Sequence, residues 1–313
     1  MAGFKSRIFN CLIRNSHLLR GQWKKETFDF DTSMAGFRER CEKGAGKYAK
    51  VPEGVVVKAQ FMEGMKSEWL IPRGANQEKV ILYVHGGGYV SGSCSDHRGF
   101  VSKFARNTGV ATLIYEYRLA PEYPFPAALD DSVKIYRRML ASGYKAADIV
   151  VAGESAGGGL CLALLLALKD LYIEMPAAAV AISPWTDLTC SGDSYKTKNQ
   201  VSPAPLNSWF VFSKYYAGNN RPDLPLISPL FGDLKGLPPL LINSGVDDEL
   251  FDDGEQFFLK AKNAGVDVTF RKGIGMLHCY PLLAPMFPEA TEAMNEIADF
   301  VRQHLRMNFT NAA

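Results

Sequence analysis

Ile149-Val150-Val151-Ala152-Gly153-Glu154-Ser155-Ala156-Gly157-Gly158-Gly159 decides the reading of this chain. Four apolar residues predict a buried strand, and the run LCLALLLAL at Leu160–Leu168 predicts a buried helix. Between them stands G-x-S-x-G, which in a strand–turn–helix setting lifts a serine hydroxyl above a sheet on a tight, strained turn. The flanking glycines fit that turn because side chains there would collide with the neighbouring strand and helix.

Working outward, apolar runs predict strands at Val55–Phe61, Trp69–Pro72, Val80–His85, Ala111–Tyr117, Ile149–Gly153, Ala178–Ser183, Leu240–Ser244 and Val266–Arg271. Helical periodicity predicts helices at His97–Thr108, Ala127–Ser142, Ala156–Leu171, Asp252–Ala264 and Pro288–Leu305. Several strands are continuous rather than alternating apolar runs, as suits a sheet covered on both faces. Strand and helix in alternation imply an α/β fold with a mostly parallel, eight-stranded sheet. Residues 1–50 and 187–225 break the alternation. The second carries Trp209, Phe210, Phe212 and Tyr215 between proline-bearing loops. Both are read as a helical cap over a core of 51–186 and 226–313, since long insertions beside strand C-termini often bind substrate.

The chain has 313 residues, with Lys+Arg 35 against Asp+Glu 33 and a net charge of +2. That balance speaks against a nucleic-acid partner. With 47% hydrophobic and 22% charged residues, composition is that of an ordinary globular chain. Six scattered cysteines form no CxxC pair, which argues for free thiols in a reducing, cytoplasmic setting. No run is long enough for stable membrane insertion. The basic N-terminus, with Phe4, Ile8, Cys11 and Leu12 at helical spacing, is read first as a helix packed on its own protein and second as a membrane-surface helix.

His85-Gly86-Gly87-Gly88 follows a strand and offers unhindered N–H groups to a developing oxyanion. A serine nucleophile also needs a base, and the base an orienting acid. Of five histidines, His17 and His304 fall in terminal helices, His97 in a cap region, and His85 ahead of the glycines as a loop brace. His278, in KGIGMLHCY after the last strand, is the candidate base. The acid belongs after the strand LLINSG. Asp252 and Asp253 open the next helix, which leaves Asp247, Asp248 and Glu249.

The motifs HGGGYVSGS at 85–93, YRLAPEYPFPAALDD at 117–131, VAGESAGGG at 151–159 and GMLHCY at 275–280 resemble the hormone-sensitive lipase-like carboxylesterases of the α/β-hydrolase fold. The likeness spans roughly 55–305. Its acid motif, Asp-Pro-Leu-Arg-Asp-Glu-Gly, matches Asp248–Gly254 and implies Asp248 as the acid, with Asp247 the runner-up. Glu249 departs from the family proline, and Glu154 from its frequent aspartate. The resemblance also implies oxyanion donors at Gly87, Gly88 and Ala156, and structural pairing for Arg118, Glu122 and Asp130. It implies hydrolysis of small-molecule esters of short to medium acyl chain through Ser155, His278 and Asp248, with no metal or other cofactor. Trp185, Trp209, Phe210, Phe212 and Tyr215 are the candidate pocket walls. By analogy alone, the edge of the last strand, VDVTFRK, could pair two copies as a homodimer. A non-catalytic receptor, or an amidase or deacetylase with the same triad, are the alternatives.

Overall fold

The computed structural model describes residues 3–15, 23–48 and 50–307; His17 lies outside them. Eight strands form one sheet: β1 (Val55–Met62), β2 (Met65–Pro72), β3 (Asn76–Val84), β4 (Val110–Tyr115), β5 (Ile149–Glu154), β6 (Ala178–Ile182), β7 (Leu240–Gly245) and β8 (Val268–Gly273). Their order is β1-β2-β4-β3-β5-β6-β7-β8. Only the β1–β2 and β2–β4 pairs are antiparallel; from β4 to β8 all are parallel. This is the α/β-hydrolase arrangement, and β1 and β8 are its two edge strands.

The helices are α1 (Phe4–Arg14), α2 (Met34–Tyr48), α3 (Cys94–Thr108), α4 (Ala127–Ala141), α5 (Ala156–Asp170), α6 (Ser194–Thr197), α7 (Ser208–Ala217), α8 (Phe251–Asn263) and α9 (Pro288–His304). Two apolar layers sandwich the sheet. One joins α5 to Tyr136, Met139, Phe257 and Ala261; the other joins Phe104 of α3 to Met294 and Ile297 of α9. Every residue of α5 from Ala156 to Leu168 is buried, so the helix is apolar on all sides. Each of its leucines contributes about 1.5–3 kcal/mol of burial.

Three element starts differ from the sequence expectation by three residues or more. Strand β2 begins at Met65, not Trp69, because the buried Glu68 meets Arg98 of α3 in a two-bond fork at 2.7 and 2.6 Å. A tertiary ion pair thus admits a charge into a strand. Helix α3 begins at Cys94, not His97: Ser93 and Asp96 form a reciprocal capping box ahead of it. Strand β3 reaches back to Asn76, through the exposed Asn76, Gln77 and Glu78 and through Lys79, which pairs with Asp148.

Residues 26–28 pair with Leu206 of the second irregular segment: Phe28 N–H donates to the Leu206 carbonyl (2.8 Å), and Leu206 N–H to that of Glu26 (2.8 Å). Phe28 and Phe212 meet edge to face at 4.8 Å. The six cysteines are all free thiols. Among the described residues no helix is long and apolar enough to cross a membrane.

Candidate active site

The loops that leave β3, β5, β6, β7 and β8 at their C-terminal ends converge on Ser155. The serine sits between β5 and α5 at φ 57°, ψ −126°, outside ordinary L-residue conformations. It is held there by its neighbours. Its N–H donates to the Ile182 carbonyl (2.9 Å), and its own carbonyl accepts from Gly159 and Trp185 N–H (3.0 Å each). A Cβ at Gly153 would lie 2.4 Å from the Gly157 carbonyl oxygen, and one at Gly157 would lie 2.2 Å from that of Val84. Backbone therefore packs on backbone around the turn, and only glycine fits.

On the loop after β3, the Gly87 and Gly88 N–H groups donate to no protein acceptor among the described residues, and neither does Ala156 N–H at the start of α5. These three donors remain available to an oxyanion. The loop is braced from below. Gly86 N–H donates to Glu154 Oε1 (2.7 Å), and the same oxygen lies 3.0 Å from His97 Nε2. His97 Nδ1 faces Asp96. Burial pulls the His97 imidazole down, but the two carboxylates outweigh it and raise its pKa to about 10. His97 is thus a charged strut, not the cap-region residue its sequence position implied. His85 behaves oppositely. Burial, then the neighbouring His97 charge, lower it to about 4, and its neutral ring stacks on Tyr117 at 4.2 Å. Its Nδ1–H donates to the Gly86 carbonyl (2.8 Å), a bracing contact.

The acidic run after β7 separates by partner. Asp247 pairs with Arg14 of α1 and lies 3.5 Å from Lys198. Glu249 accepts from Trp209 Nε1 (3.1 Å), and burial raises its pKa. Asp248 is wholly buried: Oδ1 accepts from Leu250 N–H (3.0 Å) and Oδ2 lies 2.8 Å from His278 Nδ1. Burial pulls the His278 imidazole down and Asp248 pulls it up; the balance lies well above the ordinary histidine value. The His278 loop is tied to the rim where Cys279 N–H donates to Ser183 Oγ (3.1 Å). No hydrogen bond joins the Ser155 hydroxyl to His278 among the described residues. Catalytic contacts of this kind often close only around substrate.

The aromatic candidates divide. Trp209 meets His278 edge to face at 5.7 Å and Trp185 at 5.0 Å. Trp185 is fully buried beside the Ser155 backbone. Phe212 lies on Gly88, where an added Cβ would come within 2.4 Å of its ring. Tyr215 instead donates to the Phe30 carbonyl (3.3 Å), and Phe210 stands half-exposed with Lys214 over its ring. These two are not brought to the serine.

Other residues take partners that the sequence did not specify. Asp253 does more than open α8: it is buried, accepts from Thr186 and Asp187 N–H (2.8 and 2.7 Å), and burial raises its pKa well above the carboxylate norm. Arg38 of α2 clamps the glycine loop through the Val90 carbonyl (2.7 Å) and forks onto Glu122 (2.9 and 2.6 Å). Arg118 pairs with Asp131 (2.9 and 2.8 Å), not with Asp130, which is exposed on the outer side of α4.

Residues 81–282 match the model of an alpha/beta hydrolase fold family. An acetyl-hydrolase of Streptomyces hygroscopicus is 39% identical over 269 residues, covering 84% of this chain and 87% of its own. An esterase of Acinetobacter venetianus is 36% identical over 229 residues, covering 72% and 75%. The crystal structure of an esterase from the bacterial hormone-sensitive lipase family superposes with a TM-score of 0.88 at 35% identity, covering 97% of this chain and 99% of that one. With sequence and fold agreeing over nearly the whole length, the chain belongs to the bacterial hormone-sensitive lipase family of α/β hydrolases and is a carboxylic ester hydrolase.

Proposed function

We propose that the chain hydrolyses small esters of short to medium acyl chain through Ser155, His278 and Asp248 and an acyl-enzyme intermediate. The observation that carries this reading is the 2.8 Å contact between His278 Nδ1 and the wholly buried Asp248. That contact puts the Nδ1 proton toward the carboxylate and leaves Nε2 as the free base. Nε2 takes the Ser155 proton as Oγ attacks the ester carbonyl. The resulting oxyanion is received by the N–H groups of Gly87, Gly88 and Ala156. His278 then protonates the leaving alcohol, and a water deprotonated by the same imidazole releases the acid.

Phe212, seated on Gly88, and Trp209, against His278, form the upper wall of the site in this reading. Residues 23–48 of the first irregular segment and 187–225 act as the cap, joined to each other through Phe28 and Leu206. Bulky rings so close to the donors support a small acyl group, and the acetyl-hydrolase relative points the same way. Turnover of p-nitrophenyl esters from acetyl to palmitoyl, beside matched anilides, tests the substrate class: activity should peak among the shorter esters. A fluorophosphonate adduct located by mass spectrometry tests the nucleophile. Its appearance anywhere but Ser155 would overturn the triad.

A further inference from the structure

Helix α1 is laid down with Ser6, Phe9 and Asn10 inward, Phe9 against Phe287 (5.5 Å), and with a separate apolar line outward. Ser6 and Asn10 are buried, while Phe4, Ile8 and Leu12 are 80%, 46% and 51% exposed. The polar residues grip the protein: Ser6 Oγ donates to Glu289 Oε1 (2.9 Å), Asn10 Nδ2 donates to the Gly275 carbonyl (2.6 Å), and Arg14 pairs with Asp247. A spacing of four puts Phe4, Ile8 and Leu12 in one line along the outer face. At about 100° per residue, Lys5 flanks one edge of that line and Arg7 the other. Both cations are exposed, and neither joins an ion pair among the described residues. The apolar surface continues beyond the helix. Ile274, next to the Gly275 that Asn10 holds, is 60% exposed, and Met286, which shares a surface depression with Lys5, is 52% exposed.

We propose that this face docks on an anionic lipid bilayer, with α1 lying in the plane of the headgroups. An apolar line flanked on both sides by cations is the pattern of an interfacial helix, and Lys5 and Arg7 complement anionic headgroups. A second copy fits less well, because stripe-to-stripe pairing would bring four cations around one apolar seam. The acids that line the same depression as Lys5 are Glu292, Glu296 and Asp299 of α9. Glu296 is paired with Arg271 (3.1 Å) and Asp299 with Arg302 (2.5 Å), which offsets much of their charge. Arg14 and Asn10 hold the segments that carry Asp248 and His278. A docked helix therefore brings the ester-hydrolysing face to esters dissolved in the bilayer. The proposal needs only the established ester hydrolysis, not the assignment of the triad.

Flotation of the full chain with vesicles of phosphatidylcholine, alone or mixed with phosphatidylglycerol, tests it. The protein should float with the mixed vesicles, and high salt should weaken the binding. Replacing Phe4, Ile8 and Leu12 together by Ser should lower vesicle partition at least about tenfold. Reversing charge with K5E and R7E should lower it by about tenfold as well. Both variants should turn over a water-soluble acetate ester as the parent does, which separates lost docking from lost folding or catalysis. The proposal is overturned if the parent does not float, if the charge-reversed variant floats as the parent does, or if neutral vesicles bind equally. A dimer that dissolves in the serine variant, without vesicle binding, would assign the stripe to a second copy instead.

Discussion

The rim of the sheet and the segments above it hold together by different contacts. At the rim, backbone meets backbone: a Cβ on Gly157 would lie 2.2 Å from the Val84 carbonyl oxygen, and one on Gly245 would lie 2.3 Å from that of Met276. Above it, side chain meets side chain: Phe28, Phe37 and Phe212 cluster at 4.8–5.5 Å, and Trp185 meets Trp209 at 5.0 Å. Backbone contacts leave no slack, because nothing there can change rotamer. Aromatic contacts can repack at modest cost. The rim is therefore suited to fixing the reacting atoms and the upper layer to adjusting what reaches them.

Four changes would break or sharpen that contrast. The largest effect is expected at the rim itself. Ser155→Ala should lower ester turnover by on the order of 10⁵–10⁶-fold, as loss of such a nucleophile does elsewhere. Because the elbow geometry is set by backbone contacts, the melting temperature should stay within a few degrees. Retained turnover would remove Ser155 from the mechanism.

Next comes the acid. Asp248→Asn should reduce kcat by on the order of 10⁴-fold, while Asp247→Asn, which loses only its pairs with Arg14 and Lys198, should cost far less. The pH profile gives a second readout. Asp248 raises the His278 pKa, so the acid limb of kcat/KM should lie above the ordinary histidine value and move toward lower pH in Asp248→Asn. The reverse ranking of the two variants would shift the acid by one residue.

The third change sits where the two layers touch. Gly88→Ala meets Phe212 at 2.4 Å and must also hold a positive φ of 64°. It should lower kcat by about 10²-fold or more, on the scale of a lost oxyanion donor. Adding Phe212→Ala should recover part of the loss by removing the clash, leaving the backbone strain. If the double variant is no better than the single one, Phe212 is not the obstacle.

The smallest effect concerns the strut below the loop. His97 has its pKa raised to about 10, so its stabilising charge is present in full below the unfolded value of about 6.5 and is lost as pH rises toward 10. Thermal melting should fall across that window, and His97→Gln should flatten the slope while lowering stability at neutral pH. An unchanged slope in the variant would show that His97 is not the titrating group.

Much of the core was legible because its signals are local. IVVA before G-x-S-x-G and LCLALLLAL after it describe β5, the turn and α5 without help from distant residues. Ser93 and Asp96 even announce the start of α3, a capping box the periodicity reading passed over. Charged residues were read less well. Glu68 in β2, Asp253 at the head of α8 and Asp131 on α4 each take their meaning from partners far along the chain. Glu154 is the sharpest case: its position inside the elbow motif was plain, but nothing in the motif foretold that it would hold Gly86 on one side and His97 on the other.

The amino-acid order by itself determined the alternating α/β layout, the serine turn, the glycine loop and the late histidine, because each depends on backbone freedom or periodicity within a few residues. Only the tertiary structure decided which of three neighbouring carboxylates meets His278 and which aromatic rings lie against Gly88 and His278. It also laid Ser6 and Asn10 of α1 inward and left Phe4, Ile8 and Leu12 outward. Those outcomes rest on directions in space that adjacent residues share equally in sequence and lose once the chain has folded, when one side chain points to the site and the next points away.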